Sequence, residues 1–325
     1  MSENRIWRRR AAMVIGVLIA GLSFYSVVRL SSAGLSGDTD SRDGPTNLEG
    51  QSSPLQRDSS ETIRIGWTAW ADAEVVSLMA KALIENHYNK PVDLVMADIG
   101  IQYEAVARGD LDLMLMAWLP KTHKDYWSTV WDRVIDLGPM YSGRLGWVVP
   151  DYVPEQKVAS LSNLAEAKIA KGFKNRIQGI DPGSGLMQMS QTAMKDYKLV
   201  EMKLVSASGA AMTAVLDKSI REQEWVVVTG WTPHWMFARY PLRFLQDPKG
   251  VFGGREGIHA LARMGLDQDH PKVVNLLSRF RLRDQELSAL LLDADKTSPE
   301  QAVSNYLSRN KTRVTYWVTG AIAEP

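Results

Sequence analysis

Three short phrases hold five of the tryptophans of this chain: Gly66-Trp67-Thr68-Ala69-Trp70, Ala117-Trp118-Leu119-Pro120-Lys121-Thr122-His123 and Gly230-Trp231-Thr232-Pro233-His234-Trp235. Each falls where a strand-like apolar run gives way to a turn or helix. Indole faces attract cations, by about 0.5–2 kcal/mol per ring once water is excluded. A quaternary ammonium is the cation best served by them, because it has no N–H to direct at a carboxylate. One strand-end tryptophan commonly does no more than cover a sheet edge. Tryptophans at several strand ends together suggest an aromatic box for a methylated ammonium. Trp67 reads as packing in the core beside Trp70. Trp127, Trp131, Trp147 and Trp235 read as structural, and Met114 and Met116 as core.

A second constellation suits the opposite charge. Pro182-Gly183-Ser184-Gly185-Leu186 follows an apolar run and opens a helical one. Free backbone N–H groups and the positive end of the helix dipole favour an anion there. Alone, such a glycine turn is commonly only a tight turn; opposite a cation box it supplies the other half of a zwitterion site. His123 follows Pro120 at a helix start, where a histidine is commonly a cap or surface residue, yet its ring N–H can donate to the same carboxylate. His234 reads as a structural hydrogen-bonding partner. Asp110 and Asp112, at a strand start, read as solvated, and Asp98 as a strand-end carboxylate near the cleft.

Catalysis finds no support. His87, His123, His234, His259 and His270 show no metal-ligand spacing, and no nucleophile elbow or phosphate loop is present. The expectation is a binding protein rather than an enzyme, with no cofactor and no metal. Charge is balanced, 38 Lys+Arg against 37 Asp+Glu, so a nucleic-acid partner is not indicated. Cysteine is absent, which excludes thiolate chemistry, disulfides and a lipid-bearing cysteine.

The elements that must position these residues alternate between strand and helix. A strand at 63–67 precedes a helix capped by Asp72, with Val75, Val76, Met79, Ala82 and Leu83 at helical spacing. A strand at 91–97, a helix at 102–107 and a nearly all-apolar strand at 112–119 follow. The series then resumes: strands ending at 150 and at 176–181, 202–206 and 225–230, with helices at 161–170, 186–197 and 210–221. Such alternation predicts an α/β architecture with mostly parallel strands covered on both faces. Two series imply two lobes facing a cleft, and ligands in such folds bind beyond the carboxyl ends of the strands. From about 270 onward the pattern is helical and returns to brace the first lobe.

Ahead of this lies an export or membrane signal. Arg5, Arg8, Arg9 and Arg10 precede an apolar run at 11–28 closed by Arg29, near the lower limit of roughly 17–25 residues for a bilayer span. It reads as an anchor or, with Ser31-Ser32-Ala33 as a cleavage site, as a signal peptide. The positive-inside rule puts the basic end in the cytoplasm and the remainder outside. Residues 31–60, rich in Ser, Gly, Asp and Pro, read as a disordered tether. The expected division is therefore 1–30 signal or anchor, 31–60 linker, 61–145 with 251–325 as the first lobe, and 146–250 as the second.

In collinear order between 65 and 269, the phrases GWTAWADAEV, ARGDLDLMLMAWLPKTH, GIDPGSGLM, SASGAAMTAVLDKSI, VVVTGWTPHWMFARYPLRFLQDPKGVFG and GIHALARMGLDQDHP resemble the glycine-betaine/proline-betaine substrate-binding proteins of ABC transporters. That resemblance implies a two-lobed periplasmic-binding-protein fold, type II-like. It implies a tryptophan prism around the trimethylammonium group, at Trp70, Trp118 and Trp231. It also implies carboxylate binding by the backbone amides of Gly185 and Leu186 and by His123. The implied function is capture of glycine betaine or a related quaternary ammonium osmolyte in the periplasm or on the outer face of the cytoplasmic membrane. The implied partners are an ABC permease and ATPase, with the membrane reached through the N-terminal segment. A membrane-tethered osmolyte sensor using the same lobes is the alternative.

Overall fold

The structure, a computed structural model, describes residues 62–322. The N-terminal apolar run and the polar tether lie outside the described residues. Among those described, no helix is long and apolar enough to cross a membrane.

The first strands and helices follow from their patterns. β1 (Ile63–Trp67) buries Ile63 and Ile65 in alternation, and α1 (Ala71–Tyr88) buries Val75, Val76, Met79 and Leu83 along one face. β2 (Val92–Met96), α2 (Ile99–Arg108) and β3 (Leu113–Leu119) come next, and every residue of β3 is buried. Gly109 ends α2 with φ 76, a left-handed turn that only glycine adopts freely, and its amide closes onto Ala105 and Val106. β1 pairs in parallel with both β2 and β3.

After α3 (Lys124–Val130) the chain enters β4 (Val134–Pro150), an extended strand of 17 residues. A 3₁₀ turn (Leu161–Ala165), α4 (Ala167–Gly172), β5 (Arg176–Gln178), α5 (Gly185–Asp196), β6 (Lys203–Val205), α6 (Gly209–Arg221) and β7 (Val228–Thr232) form the second series. α7 (Met236–Arg239), β8 (Leu242–Phe244) and β9 (Glu256–Arg263) follow. Five helices then end the chain: α8 (Leu266–Asp269), α9 (Pro271–Arg279), α10 (Asp284–Lys296), α11 (Pro299–Arg309) and α12 (Lys311–Thr319).

The strand order is β2-β1-β3-β9-β4-β7-β5-β6, with β8 also on β4. Val134–Gly143 of β4 pairs with β9, whereas Arg144–Pro150 pairs with β7 and β8, so β4 runs through both lobes. The expectation of mostly parallel pairing is corrected at the centre, where β3/β9, β9/β4, β4/β7 and β4/β8 are all antiparallel. Helical crossovers enforce parallel neighbours. Here the chain passes between lobes along extended strands instead, and those strands run against their neighbours. β7 also begins later than the apolar run suggests: Trp225 stays outside it, packed on Phe173, and the strand continues through Trp231 to Thr232.

The last helices pack on α1, where Trp317 is buried and the Tyr88 hydroxyl donates to the Val318 carbonyl at 3.0 Å. Arg239 of α7 pairs with Asp295 of α10 at 3.0 Å, so the same tail also touches the second lobe.

Candidate ligand site

Trp118 and Trp231 hold the same position in their strands, the last residue but one of β3 and of β7. Each is followed two residues later by a proline in a cis peptide, Leu119-Pro120 and Thr232-Pro233. Trp70 ends the turn after β1 and starts α1. All three indoles line one cavity, together with His123, Gly185 and Leu186. The structure thus brings the six residues singled out in the sequence to one place. Thr122, Leu145, Ile180 and Ser184 complete the lining; Thr122, Ile180 and Ser184 stand inside the quoted motifs, while Leu145 carries no local signal.

Close approach of backbone seats the rings. A Cβ on Gly143 of β4 would collide with the Trp118 ring and with the carbonyl of Thr232, so only glycine lets Trp118 lie there. His234 packs edge-on against Trp231, centroids 4.6 Å apart, and its Nδ1 accepts the Met236 amide at 3.1 Å.

Two carboxylates hold two of the rings from across the cleft. Trp231 donates its Nε1–H to Asp72 Oδ1 at 2.9 Å, and Trp70 donates to Asp181 Oδ1 at 2.8 Å. Asp72 does not cap α1 as expected. Trp70 is the cap residue, and the Asp72 side chain points into the interior, where Tyr141 also donates to Oδ2 at 2.8 Å. Those buried donors hold the carboxylate better than helix-end amides in water would. Burial pushes the Asp72 carboxyl pKa up, while the bonds from Tyr141, Trp231 and the backbone amides of Asp72 and Ala73 oppose the shift. Burial likewise raises Asp181, and the Trp70 bond opposes it.

The same cavity also carries donors. Ser184 caps α5, its Oγ accepting the Met187 amide at 3.3 Å, which leaves the amides of Gly185 and Leu186 without a protein acceptor among the described residues. A Cβ on Gly185 would lie 2.6 Å from the Thr122 carbonyl oxygen and 2.9 Å from His123 Cδ2, so a side chain there would hold the lobes apart. His123 Nδ1 accepts the Trp118 amide at 3.1 Å, which assigns the ring proton to Nε2, on the edge that faces Gly185. Burial lowers the imidazole to about 3, so it stays neutral and remains a donor. The turn carrying it is clamped by Glu256, which accepts from the Thr122 amide at 3.0 Å and also from Lys121 N and Thr122 Oγ1. Nothing near Thr122 in the sequence points to that partner.

Other expectations resolve individually. Met114, Met116 and Trp147 are fully buried, and Trp67 is half-buried against the core. Trp131 is corrected: it is 61% exposed and supports no core. Asp112 is also corrected, being buried and bonded to Arg263 Nε at 2.6 Å rather than solvated, because it ties β3 to β9. Asp98 is exposed and does not line the cavity.

Residues 61–309 match the family model for the substrate-binding domain of ABC-type glycine betaine transport systems. The chain belongs to this family. Among its relatives in this glycine betaine family is the glycine betaine/carnitine transport binding protein GbuC of Listeria monocytogenes, 38% identical over 159 residues. That match covers 48% of this chain and 53% of GbuC, so it spans about half the length of that curated relative. The glycine betaine, L-proline-binding protein ProX of Borrelia burgdorferi superposes with a TM-score of 0.74 at 31% identity, covering 79% of this chain and 97% of ProX. Lactococcal OpuAC, solved closed with glycine betaine, gives 0.73 at 32%, covering 80% of this chain and all of that one. The fold is that of the family's two-lobed α/β binding proteins.

Proposed function

We propose that the chain is the extracytoplasmic substrate-binding protein of an ABC transporter and captures glycine betaine or a related quaternary ammonium osmolyte between its lobes. The observation that carries this reading is the single cavity in which three indoles face two acceptor-free amides and a neutral histidine. The cation rests among Trp70, Trp118 and Trp231; the carboxylate takes hydrogen bonds from Gly185 N, Leu186 N and His123 Nε2. Residues 61–145 with 251–325 form the first lobe, which supplies Trp70, Trp118 and His123. Residues 146–250 form the second, which supplies Gly185, Leu186 and Trp231. Only the closed state completes both subsites, so ligand favours closure. The N-terminal apolar segment tethers or exports the protein to the outer face of the cytoplasmic membrane, where a permease and its ATPase receive the ligand. The protein performs no catalysis.

Calorimetry with the purified protein tests this. Glycine betaine should bind, and choline, which lacks the carboxylate, should bind more weakly. Absence of glycine betaine binding would overturn the reading, and equal affinity for choline would remove the role given to Gly185, Leu186 and His123.

A further inference from the structure

The two carboxylates bonded to the cage lie outside the cavity they help to build. Asp72 is fully buried and does not line it; its oxygens face the Trp231 N–H, the Tyr141 hydroxyl and backbone amides of the first turn of α1. That set consists of donors, at the end of a helix where negative charge is favoured. Asp181 stands in the same relation to Trp70 from the other lobe.

We propose that Asp72 is a specificity-determining residue: screened by the Trp231 indole, its carboxylate supplies counter-charge to the cage without offering the ligand a hydrogen-bond acceptor. This rests on the betaine reading above. A carboxylate in direct contact would favour a protonated amine, which brings N–H donors, over a methylated nitrogen, which brings none. Placed behind a ring, the charge acts through space alone, and a permanent cation loses nothing by lacking donors. Donation of the indole N–H to an anion also pushes electron density into the ring and deepens its negative face. Asp72 and Trp231 come from opposite lobes, so this electrostatic complement is completed only on closure. Asp181 repeats the device behind Trp70, less deeply buried.

The test compares two ligands of one shape: glycine betaine and 3,3-dimethylbutanoate, in which carbon replaces the charged nitrogen. Asp72→Asn keeps an acceptor for Trp231 and removes the charge. Its affinity for glycine betaine should fall roughly thirtyfold, the size Coulomb's law gives for charges about 8 Å apart at an effective dielectric near 20. Its affinity for the isostere, which keeps the carboxylate but has no cationic centre, should not fall when followed by ligand-observed NMR, since removing a nearby negative charge costs an anion nothing. A parallel loss for both ligands would make Asp72 merely structural, and no loss for either would deny it any role; each outcome overturns the proposal. Asp181→Asn, measured in the same way, serves if the Asp72 variant does not fold by circular dichroism. Wild-type protein that fails to bind glycine betaine would sink the functional reading itself, a result separate from either outcome in the variants.

Discussion

Trp231 at the end of β7 donates its indole N–H to Asp72 in the first turn of α1 at 2.9 Å, a bond between the two series of strands and helices. Trp70 and Asp181 make the reciprocal bond at 2.8 Å. Tyr126 adds a third cross-cleft bond, its hydroxyl donating to the Gly183 carbonyl at 2.7 Å.

Replacing Trp231 with alanine removes both a ring face and a cross-cleft bond. Glycine betaine affinity should drop by about 1–2 kcal/mol or more, roughly fivefold at least. Trp231→Phe keeps a face but no N–H and should fall between. Calorimetry showing wild-type affinity for the alanine variant would remove the cage from the account.

Gly185→Ala places a methyl group against the Thr122 carbonyl, a backbone atom that cannot swing away. The lobes should remain apart in small-angle scattering with glycine betaine present, and binding should be lost. The melting temperature without ligand should hold, because alanine is a better helix former than glycine. A variant that closes normally on ligand contradicts this.

His123 and His234 are both held neutral by burial, at about 3, against about 6.5 in the unfolded chain. Below pH about 6.5 the unfolded state therefore binds more protons than the folded one. Stability is full above that value and falls as pH drops toward about 3, with a slope of up to about 1.4 kcal/mol per pH unit for each imidazole. Urea denaturation between pH about 7 and about 4 measures the slope. His234→Asn, which keeps an acceptor for the Met236 amide, should make it shallower; an unchanged slope would mean His234 is not held neutral.

Asp112→Ala leaves the Arg263 guanidinium buried with one of its two carboxylate partners, since Asp269 still accepts from Nη2 at 2.7 Å. The loss should be about 3 kcal/mol in chemical denaturation. Glycine betaine affinity should stay near wild type, because neither residue lines the cavity. A large loss of affinity without loss of stability would contradict that separation.

The sequence alone placed Trp70, Trp118, Trp231, His123, Gly185 and Leu186 at strand ends and helix starts, through local apolar patterning and turn chemistry; that these six share one site was implied by the family resemblance. It determined the alternating series of strands and helices for the same reason, since such patterns act over a few residues. Only the tertiary structure decided what holds them. Asp72 lies 159 positions from Trp231, Asp181 lies 111 from Trp70, and Glu256 lies 134 from Thr122. No periodicity reports a bond between residues so far apart. Asp72 looked like a helix cap because capping is a local rule; α1 starts one residue before it, and the carboxylate takes the Trp231 and Tyr141 donors as well as the amides of Asp72 and Ala73. The antiparallel course of β4 and β9 was hidden likewise, because strand direction depends on where the chain crosses between lobes, which no local window contains.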